Sequence, residues 1–131
     1  MKEKLVFIVD DDRIIQNLLE YIFSSRGGYE VKVFASGEDC INNLELKPDL
    51  IILDHLFLNK DLTLMNGLDT LDKLRIQNNS VPVIILSNQP SQELIEEFYK
   101  RGATGYIPKE DYFIDYLFEC IEKSLPFNKN S

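Results

Sequence analysis

The chain has 131 residues, 44% of them apolar, and a formal net charge of −8. That length fits one globular domain that buries roughly two-thirds of its unfolded surface and folds without disulfides or metal. The acidic balance excludes nucleic acid as a default partner, and the apolar runs and the Met1-Lys2-Glu3-Lys4 start exclude a membrane span or signal peptide, so a cytoplasmic protein is expected.

Leu5–Val9 is a continuous apolar run, the mark of a strand buried on both faces, and it stops at Asp10-Asp11-Asp12. Ile14, Ile15, Leu18, Leu19, Ile22 and Phe23 then recur at helical spacing up to Gly27-Gly28. Tyr29–Phe34 alternates as an edge strand does. Ser36, with Asp39 three positions on, predicts a capped helix that ends before Pro48. Leu50–Leu53 is a third strand, running into Asp54. After a loop from His55 to Asn66, Gly67–Gln77 has Leu68, Leu71 and Leu74 on one helical face. Val83–Leu86 is the fourth strand and ends at Ser87. Ser91–Arg101 is a helix closed by Gly102, and Gly105–Ile107 a short strand that ends near Lys109. Asp111–Leu125 is the last helix, which makes residues 1–125 the domain and 126–131 a polar tail.

Five successive βα units predict a doubly wound α/β sheet of five parallel strands with helices on both faces. Ligands in such sheets bind beyond the carboxyl ends of the strands. Asp10-Asp11-Asp12, Asp54, Ser87 and Lys109 all fall at that edge. Carboxylates packed together repel unless a cation neutralises them, and an all-oxygen set suits Mg²⁺. With a hydroxyl donor and a mobile ammonium beside them, they form the parts of a phosphoryl-transfer site. Asp12, where a helix begins, has the simpler reading of an N-cap. Tyr106 taken alone reads as a core aromatic with its hydroxyl outward.

These residues resemble the response-regulator receiver domain of two-component signalling over residues 4–125. The motifs are Val9-Asp10-Asp11, Pro48 to Asp54, Asn66-Gly67, Val81 to Ser87, and Gly102 to Lys109. The resemblance implies a flavodoxin-like (βα)5 fold with strand order 2-1-3-4-5. It implies Asp54 as phosphoacceptor, with Mg²⁺ held by Asp10, Asp11, Asp54 and the Leu56 backbone carbonyl, Asp11 being the preferred direct ligand of the acidic pair. Ser87 and Lys109 would bind the phosphoryl oxygens, and Ser87 and Tyr106 would switch together. A sensor histidine kinase or histidine phosphotransfer protein would be the donor. A downstream protein, or a second copy of the chain, would bind at the fourth helix, fifth strand and fifth helix. On this reading the chain is a signalling domain that catalyses only its own phosphorylation and dephosphorylation. Cys40 and Cys120 would lie across the sheet from each other as free, buried thiols.

The stretch from Asp54 to Gly67 is several residues longer than the family loop, and Glu110 stands where the family has proline. A site-covering flap and a tolerated surface insertion are both open for this loop. Leu56 and Gln89 occupy positions that in the family influence hydrolysis, and an apolar Leu56 implies a long-lived acyl phosphate. His55 reads as structural. A haloacid-dehalogenase-like phosphohydrolase, with Asp10 as nucleophile and Asp12 as general acid, is the alternative, although it leaves Asp54 unexplained. A pseudo-receiver that only binds is a third reading.

Overall fold

Each run of Leu, Ile and Val becomes a strand whose side chains alternate between two covered faces. A computed structural model describes residues 3–54, 67–88 and 91–125. The strands are β1 (Lys4–Val9), β2 (Tyr29–Phe34), β3 (Leu50–Asp54), β4 (Val83–Ser87) and β5 (Gly105–Pro108). The helices are α1 (Arg13–Arg26), α2 (Gly37–Asn42), α3 (Gly67–Gln77), α4 (Gln92–Lys100) and α5 (Phe113–Ser124), with a 3₁₀ turn at Leu44–Leu46. The described strands form one parallel sheet in the order β2-β1-β3-β4-β5.

On one face Phe7, Val9, Ile51, Leu53 and Ile85 meet Cys40, Leu71, Leu74 and Phe98 from α2, α3 and α4. On the other Val6, Ile8, Ile52 and Leu86 meet Leu19 and Phe23 of α1 and Leu117, Phe118 and Ile121 of α5. Cys40 belongs to the first face and Cys120 packs on the second, both as free thiols as expected, but only Cys40 is buried as expected, Cys120 being half-buried on the α5 side. β3 and β4 are buried along their whole length, the outcome that continuous apolar runs foretell. Among the described residues no helix is long and apolar enough to cross a membrane.

Several ends differ from expectation. β5 runs on to Pro108, and α5 begins at Phe113 rather than Asp111. The cause is a turn in which Phe113 N–H donates to the Glu110 carbonyl and Tyr112 adopts a left-handed φ of 66°. The second helical stretch is α2 plus the 3₁₀ turn, and it stops where Lys47 takes a φ of 58°. Ser91 is the N-cap of α4, its hydroxyl accepting from Leu94 N–H at 3.1 Å. His55, Leu56, the rest of the loop to Asn66, Gln89 and the 126–131 tail lie outside the described residues.

Candidate functional site

Strand register alone brings the site together. Val9 pairs with Leu53, so Asp10 emerges beside Asp54. Asp54 pairs with Leu86, one residue before Ser87, and Ser87 pairs with Pro108, one before Lys109. Four chain segments thus deliver polar side chains to one edge of an otherwise apolar sheet. Asp10, Asp54 and Ser87 are all buried there.

Lys109 ties the edge together. Its ammonium donates to Asp54 Oδ1 at 2.8 Å and to Asp10 Oδ2 at 3.3 Å, with only 9% of its side chain exposed. Asp10, Asp11 and Asp54 each place a carboxylate oxygen within 4.8 Å of the others. Burial and the adjacent Asp10 carboxylate push Asp54 up to about 7, against the opposing pull of Lys109. Burial also raises Asp10, outweighing its bonds to Asp12 N–H and Lys109. For Lys109, burial lowers the pKa, but the two carboxylates prevail and hold it above the ordinary lysine value. One buried ammonium does not neutralise three clustered carboxylates. The residual negative charge and all-oxygen donor set fit a hard divalent cation such as Mg²⁺, which receiver domains generally use. The Leu56 carbonyl, the other expected ligand, lies outside the described residues.

The β1–α1 turn is held from every side. Asp10 N–H donates to the Phe34 carbonyl at 3.0 Å, and Asp12 N–H to Asp10 Oδ1 at 2.9 Å. Asp12 is the N-cap of α1, its Oδ1 accepting from Ile14 N–H at 2.9 Å. The amide of Gln16 donates to the Asp10 carbonyl. Sequence reasoning passed over Gln16, since a polar residue on an amphipathic helix carries no signal of where its side chain reaches. It also passed over Asp49, whose Oδ2 accepts from Leu5 N–H at 2.8 Å and ties the start of β3 to β1.

Tyr106 departs from the outward expectation. Its ring is 9% exposed, tilted against Phe98 with ring centroids 5.8 Å apart, and its hydroxyl is buried with no hydrogen-bond partner among the described residues. The apolar contact under α4 holds the ring inward at the expense of its polar tip.

The response regulator receiver domain family matches residues 6–115. The chain is 28% identical to sporulation initiation phosphotransferase F of Bacillus subtilis (strain 168), over 99% of both chains. It is 36% identical to the nitrate/nitrite response regulator protein NarL of Escherichia coli (strain K12), over 80% of this chain but 47% of NarL. The chain thus spans the whole of one relative and about half of another. Among solved structures it resembles a CheY-like receiver domain protein from Methanospirillum hungatei JF-1, with a TM-score of 0.80 and 27% identity over 94% of both chains. It also resembles the chemotaxis protein CheY4 of Vibrio cholerae, with a TM-score of 0.81 and 25% identity over 94% of this chain and 99% of that one. The phosphohydrolase alternative finds no support, and Asp12, its general acid, uses its carboxylate to cap α1. The chain belongs to the response-regulator receiver domain family.

Proposed function

We propose that this chain accepts a phosphoryl group on Asp54 from the phosphohistidine of a sensor histidine kinase or histidine phosphotransfer protein. The observation that carries the reading is the Lys109 ammonium 2.8 Å from Asp54 Oδ1, with the Asp10 and Asp11 carboxylates packed alongside. An Asp54 carboxylate oxygen attacks phosphorus, the P–N bond breaks, and the imidazole leaves with the bonding electron pair. Lys109 then shifts from the Asp54 carboxylate to a phosphoryl oxygen, and the Ser87 hydroxyl donates to another. Asp10, Asp11, Asp54 and the Leu56 carbonyl would hold Mg²⁺, which when bound supplies positive charge where the transferring group spreads its negative charge. The protein's part is to fix these groups in a buried edge where their electrostatics are strong.

Receiver domains interact with histidine kinases and downstream effector domains. Here the output surface would be α4, β5 and α5, which exposes Tyr99, Tyr112 and Tyr116. Movement of Ser87 toward the phosphoryl group, coupled to Tyr106, would change that surface for a downstream protein or a second copy of the chain. The full-length similarity to a sporulation phosphotransferase supports a relay role for residues 1–125 as a receiver unit, in the cytoplasmic setting typical of the family. Labelling with acetyl phosphate and MgCl₂ tests the reading. It should give an acid-labile, hydroxylamine-sensitive phosphoprotein, with the signal lost in Asp54→Asn and on chelation. Undiminished labelling of Asp54→Asn would move the nucleophile elsewhere, and no labelling of the wild type would leave a pure binding module.

A further inference from the structure

Asp11 is set between two peptide groups, and both are pinned. The 11–12 peptide is fixed because Asp12 N–H donates to Asp10 Oδ1 at 2.9 Å. The 10–11 peptide is fixed through the Asp10 carbonyl, which accepts from the side-chain amide of Gln16, one turn into α1. Gln16 is itself anchored, its backbone N–H donating to the Asp12 carbonyl at 3.0 Å. The helix therefore reaches back and clamps the turn that carries the acidic pair. With two peptide planes fixed, the direction in which Asp11 leaves the backbone is fixed as well.

We propose that Gln16 is a positioning residue for the divalent cation, acting through the Asp10 carbonyl to aim Asp11 and Asp10 at the metal. The inference rests on the proposed Mg²⁺ site and adds a residue outside its donor set. Groups that orient metal ligands without touching the ion typically change metal affinity 10- to 100-fold when removed. Gln16 is half-buried in the first turn of α1, and a glutamine that merely tied the helix to the strand end, without aiming the acidic pair, would leave the Mg²⁺ affinity unchanged when replaced.

Isothermal titration of the intact protein with MgCl₂ at 25 °C tests this, with the melting temperature of each variant measured beside it. Gln16→Met keeps the length and helix propensity of the side chain and removes the donor. Its Mg²⁺ dissociation constant should rise about tenfold, while the protein stays folded at the temperature of titration. Gln16→Glu gives a second and independent reading. By charge alone an added carboxylate would tighten Mg²⁺ binding, whereas loss of the clamp weakens it, and weakening is expected. An unchanged constant in Gln16→Met, or tighter binding in Gln16→Glu, overturns the proposal while leaving the Mg²⁺ site intact. A wild-type protein that takes up no Mg²⁺ overturns the site and the proposal together.

Discussion

Two regions flank the acidic edge, and they treat their polar atoms in opposite ways. In the β1–α1 turn all four polar groups of Asp10 have partners: its N–H on Phe34, its carbonyl on Gln16, and its two carboxylate oxygens on Asp12 N–H and Lys109. In β5 the Tyr106 hydroxyl is buried with none among the described residues. A fully bonded group has one favoured position, whereas an unpartnered buried hydroxyl carries a desolvation cost of about 1–3 kcal/mol. The contrast sets a rigid, fully bonded charge constellation beside a side chain held by apolar packing, its polar tip without a partner among the described residues. The proposed coupling of Ser87 to Tyr106 needs such a division.

The largest effect should come from breaking the rigid region. Lys109→Met removes the cation between two buried carboxylates, and breaking one partner of a buried pair costs about 3–5 kcal/mol. Urea denaturation of the metal-free protein should show that loss, and added MgCl₂ should restore part of it. A change below about 1 kcal/mol would mean that solvent already screens the carboxylates.

An effect of opposite sign should follow from relieving the carboxylate crowding. Asp54 titrates near 7 when folded against 3.8 as the reference value, so between those values the folded chain binds more protons than the unfolded one. Stability of the metal-free protein should therefore fall as pH rises from about 4 to 7, by at most about 1.4 kcal/mol per pH unit. Asp54→Asn should flatten that slope and raise the metal-free melting temperature at pH 7. A slope that survives the substitution would assign it to Asp10, which burial also raises.

The smallest effect concerns Tyr106. Tyr106→Phe keeps the contact with Phe98 and deletes the hydroxyl that lacks a partner among the described residues, so stability should be unchanged or up by about 1 kcal/mol. A loss of more than about 1 kcal/mol would reveal a partner for the hydroxyl and dissolve the contrast between the two regions.

The strands and the acidic edge were legible because burial on both faces leaves an unbroken apolar run, and a carboxylate directly after it is costly without a purpose. Asp12 was legible as a cap for the same local reason, and Cys40 and Cys120 fell across the sheet because the helix order fixes their faces. What escaped depends on geometry that no local pattern encodes. The start of α5 is delayed by a left-handed Tyr112, although nothing about tyrosine favours that conformation. The inward ring of Tyr106 depends on Phe98, which arrives from another element. Gln16 reaches backward along α1 to a strand end, a direction set by the helix rather than by residue type.

The position of the phosphoryl group decides whether Asp54 is the acceptor. Reduction of the acetyl phosphate-treated protein with borohydride converts an aspartyl phosphate to homoserine, and peptide mass spectrometry then locates it. Homoserine should be found at position 54, and only in samples given Mg²⁺. Conversion at Asp10 or Asp11 with Asp54 intact would contradict that assignment.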